Sequence, residues 1–210
     1  MTIDFSKIKT LIVDMDNTLC DTFHTLSKPQ WGKVEEALEA KGWGAYAALL
    51  KENFGKHGFK HTLEHSDMSE EQIKYALSVY EKVDVAPLEL FADAHDILDV
   101  DIPKILLSRG EPTHQQNKIE HLDLAQYFEK IRIVDTFHTK TDAIKEIIGD
   151  SDPKAFLIIG DRIEEEIADG KLLGIPTVLV RRPDWPVAES DVVPDMVVSS
   201  LKSVKEKLKL

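Results

Sequence analysis

Residues 11–19 read Leu-Ile-Val-Asp-Met-Asp-Asn-Thr-Leu, so two carboxylates, Asp14 and Asp16, directly follow a short run of apolar residues. A buried carboxylate is costly unless it is paired or binds a cation, and a core strand therefore has little reason to end this way. Ligands of α/β folds gather at the carboxyl ends of the strands. The stretch therefore predicts a metal ion and a reaction at this point. The alternative is a strand that ends in an Asx-turn, in which Asp16 or Asn17 caps a bend.

Short apolar runs recur along the rest of the chain, and most are separated by segments with helical periodicity. Runs that are continuous rather than alternating predict strands covered on both faces. Strand–helix alternation of this kind predicts an α/β fold, a doubly wound parallel sheet with right-handed crossovers. The predicted strands are 10–13, 104–107, 131–134, 156–159, 177–180 and 196–198, and the predicted helices are 116–129, 142–148, 164–173 and 201–210.

The stretch from residue 21 to residue 87 departs from this alternation, because its periodic signals are all helical. Helices are predicted at 31–41 and at 69–83, the second opened by a capping box of Ser69 and Gln72. We expect an inserted helical cap at 21–87, with Trp31 and Trp43 in its core, and a catalytic domain formed by 1–20 and 88–210.

Composition narrows the class of protein. The chain has 210 residues, a formal net charge of −12 and one cysteine, Cys20. The negative charge argues against a general nucleic-acid binder, which needs a basic face. A single cysteine excludes an intrachain disulfide. No signal-peptide pattern and no apolar run of membrane-spanning length is present, so we expect a cytoplasmic protein that binds no membrane. The oligomeric state is left open.

Polar residues also follow three of the other predicted strands. Ser108 and Arg109 come after 104–107, Lys140 ends the loop after 131–134, and Asp161 comes after 156–159. The carboxyl ends of parallel strands share one edge of a sheet, so these side chains could converge with Asp14. Each has a simpler alternative: Ser108 could begin a turn, Lys140 could be a solvated lysine, and Asp161 could be a helix N-cap.

The order Asp14-x-Asp16-x-Thr18, then Ser108, Lys140 and Asp161 resembles the four motifs of the haloacid dehalogenase-like hydrolase superfamily. The resemblance covers roughly residues 5–20 and 88–200, and four motifs in order are far more specific than any one of them. It implies a Rossmann-like core, and a cap inserted after the first motif is also typical.

For a phosphatase of this superfamily, the resemblance implies that Asp14 is the nucleophile that forms an aspartyl-phosphate. Asp16 would be the general acid and base. Mg²⁺ would be held by Asp14, the backbone carbonyl of Asp16, and Asp161. Ser108 and Lys140 would bind the phosphoryl group. Arg109, which follows a motif residue as Arg162 does, could add positive charge near the phosphate or could pair with nearby acids.

The chain departs from the superfamily pattern in its fourth motif, where an aspartate normally follows four or five residues after the first one. Here those positions are Glu165 and Glu166, and spacing favours Glu166 as the supporting metal ligand, with Glu165 as the alternate. Glutamate is one methylene longer, so it could reach the metal through water. In the third motif, Thr141 stands where proline is common.

The resulting hypothesis is a Mg²⁺-dependent phosphomonoester hydrolase acting on a small phosphorylated metabolite. The alternatives are a phosphomutase of the same superfamily and a non-catalytic descendant that binds a phosphorylated ligand. Asp16 disfavours a dehalogenase, whose leaving group needs no acid. His57, His61 and His65 are four residues apart, and this spacing fits either a metal or anion site or a solvated cluster.

Overall fold

A computed structural model of the chain describes residues 3–53, 62–63, 65–80, 82, 84–135, 138–183 and 190–208. In these residues the sheet is fully parallel, with the strand order β3-β2-β1-β4-β5-β6. The strands are β1 (Thr10–Val13), β2 (Lys104–Arg109), β3 (Lys130–Val134), β4 (Phe156–Gly160), β5 (Thr177–Val180) and β6 (Met196–Val198). The predicted doubly wound parallel sheet is confirmed, and the predicted strands agree with the observed ones within two residues.

The order of the strands determines where ligands can collect. From β1 the chain builds outward through β2 and β3, then returns to the other side of β1 and builds through β4, β5 and β6. The order therefore reverses between β1 and β4, where Val13 lies opposite Ile159. Crevices form outside the carboxyl ends of the strands at such a switch point. Asp14 and Asp161 are the first residues beyond β1 and β4, so they flank this crevice.

Helices surround the sheet and fill the long insertion. Those in the described residues are α1 (Lys28–Ala40), α2 (Gly44–Asn53), α3 (Glu70–Tyr80), α4 (His95–Leu98), α5 (Pro112–His121), α6 (Lys140–Ile148), α7 (Ala168–Leu173) and α8 (Lys202–Leu208). Helix α6 packs its apolar face, Ala143, Ile144 and Ile148, against strand residues that include Ile12 and Ile158. This packing places the first residue of α6, Lys140, beside the carboxyl edge of the sheet.

Two predicted helices are wrong in detail. The segment 116–129 is not one helix: α5 begins earlier, at Pro112, and a separate 3₁₀ turn follows at Leu124–Tyr127. Asp123 separates them because its backbone is left-handed, with φ of 50°. The segment 164–173 is also composite, since a π-helical turn at Ile163–Ile167 precedes α7. Such π turns are frequent at functional sites.

The chain divides into two compact units, one formed by Met1–Asp21 and Glu89–Leu210 and the other by Thr22–Leu88. In the second unit, α1, α2 and α3 share an apolar core that contains Trp31, with Trp43 partly buried against it. No strand is found among its described residues. That this unit acts as a cap stays a prediction.

The start of α3 follows its sequence signal. The backbone N–H of Ser69 donates to Gln72 Oε1 at 2.8 Å, and the backbone N–H of Gln72 donates to Ser69 Oγ at 3.3 Å. The predicted capping box is therefore confirmed. His57 and His61 lie outside the described residues, so a site shared with His65 stays a prediction. No helix in the described part of the chain combines the length and apolar character needed to cross a membrane.

Candidate active site

The loop after β1 is a tight bend that begins at Asp14. The backbone N–H of Asp14 still donates to Ile159 O of β4 at 3.0 Å, which continues the sheet pairing by one residue. The chain then turns, with Leu19 N donating to Met15 O at 2.9 Å and Asn17 at φ of 57°. Asparagine tolerates this left-handed conformation better than most residues. The bend brings Asp14 and Asp16 to the same end of the sheet.

Lys140 lies in the centre of a buried ionic cluster. Its Nζ donates to Asp14 Oδ1 at 2.6 Å and also pairs with Glu166 Oε1. The side chains of all three residues are at most 6% exposed. The alternative of a solvated Lys140 is wrong, because the first turn of α6 directs it into the sheet edge.

The charges in this cluster do not balance. Burial, aided by Asp16, raises the pKa of Asp14 against the opposing effect of Lys140. Burial also raises the pKa of Glu166, to about 7. Burial alone would lower the pKa of Lys140, but Asp14 and Glu166 outweigh it and hold that pKa above its ordinary value. A buried cluster with more carboxylates than cations is a place where a bound cation would be stabilising.

Asp161 supplies the strongest indication of a cation-binding site. It is buried, and its Oδ2 has no hydrogen-bond partner among the described residues. Burial, with the nearby charges of Asp14 and Glu166, raises the pKa of Asp161 well above its ordinary value. The N-cap alternative for Asp161 is wrong, because Arg162 occupies the cap position of the following turn and Glu166 Oε2 accepts from Arg162 N at 3.2 Å.

The carboxylate oxygens of Asp14 and Asp161 are suitable ligands for a hard divalent cation, although they are only part of a full ligand set. Carboxylate oxygens are the ligands that Mg²⁺ prefers, and it often takes only one or two of them besides water. Asp161 Oδ2, which has no hydrogen-bond partner within the ranges described, lies next to Asp14 and meets that requirement. Within the described ranges, no group of three or more His, Cys, Asp or Glu side chains forms a ready-made metal site. The predicted ligands are Asp14, Asp161 and the backbone carbonyl of Asp16, with Glu166 as the supporting carboxylate. In the structure the Glu166 carboxylate contacts Lys140 Nζ and the backbone N–H of Arg162.

Gly160 makes the position of Glu166 possible. A Cβ atom added to Gly160 would lie 2.8 Å from Glu166 Cβ and 2.9 Å from Glu166 Cδ, and closer still to Cγ. The glycine before Asp161 therefore provides room for the glutamate that pairs with Lys140.

Ser108 is part of the sheet rather than of a turn. It lies in β2 opposite Ile133 and is buried, so the turn alternative is wrong. Its Oγ is 2.5 Å from Gln115 Nε2, and the same amide nitrogen donates to Asp16 Oδ2 at 2.7 Å. The other Asp16 oxygen, Oδ1, accepts from Lys118 Nζ at 2.7 Å. One amide thus connects Ser108 to Asp16.

Gln115 and Lys118 were not predicted as site residues. Both are buried on α5. Lys118 is one of 26 lysine and arginine residues, and without the position of α5 nothing in its sequence context distinguishes it. Burial, and then Lys118, lower the pKa of the adjacent His114 to about 4, so this imidazole adds no charge at pH 7.

The two arginines that follow motif residues both contact acids. Arg109 pairs with Glu165 Oε1, and Arg162 Nη1 lies 3.6 Å from Glu164 and 3.8 Å from Glu165. Glu165 is therefore held by arginines, whereas Glu166 lies with Lys140 in the buried cluster. Metal ligation by Glu166 or by Glu165 stays a prediction, as does phosphate binding by Arg109.

A further unpredicted residue, Arg182, holds the motif loop from the C-terminal part of the chain. Its Nη2 donates to the backbone carbonyl of Thr18 at 2.6 Å, and its Nη1 donates to Asp93 Oδ2 at 3.0 Å. The guanidinium also lies 4.0 Å from the centre of the Phe91 ring. The loop that carries Asp14 and Asp16 is thereby tied to a part of the chain distant in sequence.

Comparisons with known proteins agree with this geometry. The sequence model of the haloacid dehalogenase-like hydrolase family matches residues 11–180. None of the curated proteins with which the chain was compared matches it in sequence.

Several solved structures share the fold. A proposed phosphatase from Clostridium difficile has a TM-score of 0.71 at 17% identity, covering 96% of this chain and 98% of that one. The L-2-haloacid dehalogenase of Xanthobacter autotrophicus has a TM-score of 0.61 at 16% identity, with 96% and 98% covered. A proposed hydrolase of the family from Bacillus subtilis, bound to magnesium, has a TM-score of 0.62 at 16% identity, with 97% and 99% covered.

The family match spans all four motifs, from the strand before Asp14 to the strand after Asp161. The solved structures, at 16–17% identity, show only that the fold is shared. The chain therefore belongs to the haloacid dehalogenase-like hydrolase family.

Proposed function

We propose that this hydrolase is a Mg²⁺-dependent phosphatase that releases phosphate from a small phosphorylated metabolite in the cytoplasm. The observation that carries the proposal is the Gln115 amide, which contacts both Asp16 Oδ2 and Ser108 Oγ. It sets a second carboxylate beside a hydroxyl suited to bind a phosphoryl oxygen. A dehalogenase expels a halide ion, which needs no proton donor, and has no use for that carboxylate.

In the first step, a carboxylate oxygen of Asp14 attacks phosphorus and the bond from phosphorus to the leaving oxygen breaks. The leaving oxygen takes a proton from the carboxyl of Asp16, which is 23% exposed and so can reach a substrate. The product alcohol departs, and an aspartyl-phosphate remains on Asp14. Lys140 and the Ser108 hydroxyl are placed to stabilise the charge on the phosphoryl oxygens.

In the second step, the carboxylate of Asp16 takes a proton from water as the water oxygen attacks phosphorus. The bond from phosphorus to Asp14 breaks, inorganic phosphate leaves, and both aspartates return to their starting states. The pairing of Asp14 Oδ1 with Lys140 fixes the direction of the nucleophile throughout.

The residues suited to hold Mg²⁺ are Asp14, Asp161 and the backbone carbonyl of Asp16. When bound, Mg²⁺ would neutralise phosphoryl charge and reduce the repulsion between the substrate and the nucleophile. Asp161 would orient on the ion through its unpartnered Oδ2. Glu166 would keep Lys140 in position.

The test measures phosphate release from p-nitrophenyl phosphate and from a panel of phosphorylated metabolites, with and without Mg²⁺. We expect Mg²⁺-dependent turnover that Asp14→Asn lowers by at least roughly 10³-fold, in the range found for other covalent nucleophiles. The matched control is Asp142→Asn, which removes an exposed aspartate of α6 and should retain the wild-type rate.

Other outcomes identify the alternatives. Chloride release from 2-chloropropionate without phosphate release would contradict the proposal in favour of a dehalogenase. Isomerisation of a sugar phosphate without net phosphate release would indicate a phosphomutase. Binding of phosphorylated ligands without turnover would indicate a non-catalytic protein. A rate unchanged in Asp14→Asn would contradict the assigned nucleophile.

A further inference from the structure

Lys118 is a buried cation that the proposed chemistry does not require. It belongs to none of the four motifs, yet its side chain is 5% exposed and its Nζ lies 2.7 Å from Asp16 Oδ1. Burying a lysine costs solvation free energy that an ion pair seldom offsets, compared with an apolar residue of similar size. Its presence next to a reacting carboxylate therefore suggests a role other than stabilising the fold.

Gln115, three residues earlier on α5, holds the other oxygen of the same carboxylate. Residues three apart lie on one face of a helix, so a single helix contributes both donors. With Oδ1 on Lys118 and Oδ2 on Gln115, rotation of the Asp16 carboxylate would break one or both contacts. Gln115 is itself anchored by the Arg109 carbonyl at 3.3 Å as well as by Ser108.

The start of α5 determines where these two donors lie. Glu111 caps the helix, its carboxylate accepting from the backbone N–H of Thr113 at 3.0 Å and of His114 at 2.6 Å. Pro112 occupies the first turn, where its missing N–H costs nothing. Because the helix begins four residues after Ser108, its register relative to β2 is set locally.

We propose that Lys118 is a positioning residue that, together with Gln115, holds the Asp16 carboxylate in the orientation in which it exchanges protons with the leaving group and with water. The inference rests on the proposed phosphatase function and deepens it. The contact of Lys118 is with Asp16 Oδ1, so its effect passes through Asp16. Loss of Lys118 removes the contact at Asp16 Oδ1 and retains the Gln115 contact at Oδ2.

The test compares Lys118→Met with the wild type on two substrates. β-Glycerophosphate has an alkoxide leaving group that needs a proton, whereas p-nitrophenolate departs without one. For β-glycerophosphate we expect kcat to fall about 10²-fold with KM little changed, since a misplacement of about 1 Å can cost that much.

For p-nitrophenyl phosphate the first step should be spared and the second slowed. Stopped-flow measurement should then show a burst of one p-nitrophenolate per active site, followed by slow turnover as the aspartyl-phosphate accumulates. Lys118→Arg, which retains a cation and donors, should recover most of the lost rate. Lys145→Met removes an exposed lysine of α6 and should behave as the wild type.

Thermal melts separate this role from a structural one. Asp16 is partly exposed and keeps Gln115, so Lys118→Met should fold. If both substrates lose rate in parallel, without a burst, the positioning role is wrong. It is also wrong if Lys118→Met retains wild-type kinetics in an active enzyme. A wild type that releases no phosphate at all overturns the proposed function instead, and this inference with it.

Discussion

Gly160→Ala is the substitution whose effect the structure defines most closely. The new methyl group would lie 2.8 Å from Glu166 Cβ and 2.9 Å from its Cδ. Carbon atoms in favourable contact are about 3.5–4.0 Å apart, so the shortfall is about 0.6–1.2 Å. Glu166 cannot yield freely, because its carboxylate is held by Lys140 and by the backbone N–H of Arg162.

Because Glu166 is held in place, the new methyl group should lower the free energy of unfolding. Overpacking a core by a methyl group typically lowers the free energy of unfolding by about 1–3 kcal/mol. For a chain of this length, each kcal/mol lowers Tm by about 2–4 °C, which gives a fall of roughly 2–12 °C. Denaturant titration and thermal melts, followed by circular dichroism, measure both quantities. Displacement of Glu166 from Lys140 should also lower phosphatase activity.

Two further variants make the reasoning refutable. In a Glu166→Ala background only the Cβ contact remains, so Gly160→Ala should cost less than half as much, a coupling that a double-mutant cycle measures. Gly32→Ala is the matched control: nothing lies within 4 Å of its added Cβ in α1. It should raise the free energy of unfolding by up to about 1 kcal/mol through helix propensity. A Gly160→Ala protein as stable as wild type, or a cost unchanged in the Glu166→Ala background, would refute the clash.

Three other predictions concern the metal site, the motif loop and the second strand. Asp161→Asn replaces a buried carboxyl group whose Oδ2 has no hydrogen-bond partner in the described part of the chain. The metal-free variant should melt above the metal-free wild type and lose the rise in Tm that Mg²⁺ gives the wild type by linkage. Differential scanning fluorimetry with and without Mg²⁺ measures this, and an undiminished Mg²⁺ response would contradict the ligand assignment. For Asp93, burial raises the pKa, but hydrogen bonds from Arg182 and the Leu201 backbone outweigh it and hold the pKa below the ordinary 3.8. A carboxyl group whose pKa is lower in the folded state stabilises the fold when the pH is above the ordinary pKa. That stabilisation is lost as the pH falls through the folded-state pKa. Asp93→Asn should therefore be less stable than wild type at pH 7 and equal to it in strong acid, as denaturant titrations across pH would show; a difference independent of pH would argue against the ion pair. In Gly110→Ala the new Cβ would lie 2.9 Å from Gln115 Cγ and Cδ and would displace that side chain from its contacts with Ser108 and Asp16. We expect Tm to stay within a few degrees of wild type and kcat to fall clearly; an unchanged kcat would show that Gln115 has no part in catalysis.

Much of the fold could be predicted from the sequence because its signals are local. Each strand is a short, continuous apolar run, and a run covered on both faces looks the same wherever it lies in the sheet. The capping box at Ser69 is likewise complete within four residues. The break in the helix predicted at 116–129 depends on the left-handed backbone of Asp123. Aspartate tolerates this conformation but does not require it, so the residue type alone does not predict the break.

In the candidate site, too, some features could be predicted from the sequence and others could not. The five motif residues lie at or beyond the carboxyl ends of strands that share one edge of a parallel sheet, so their convergence could be predicted without coordinates. They are Asp14, Asp16, Ser108, Lys140 and Asp161. Their partners could not be predicted in this way. Lys118 and Gln115 lie about 100 residues from Asp16, and the contact exists only because α5 begins at Pro112 beside β2.

The family, the parallel sheet and the residues proposed to react could therefore be predicted from the sequence alone, since motif order and apolar runs are properties of the chain. Tertiary structure decided how those residues are held: Glu166 on Lys140, Arg182 on the loop of Thr18, and Lys118 on Asp16. Side-chain pairing within a folded core depends on distances of a few ångströms between segments far apart in the chain. Those distances cannot be predicted from residue type and spacing, because the packing of helices against the sheet sets them.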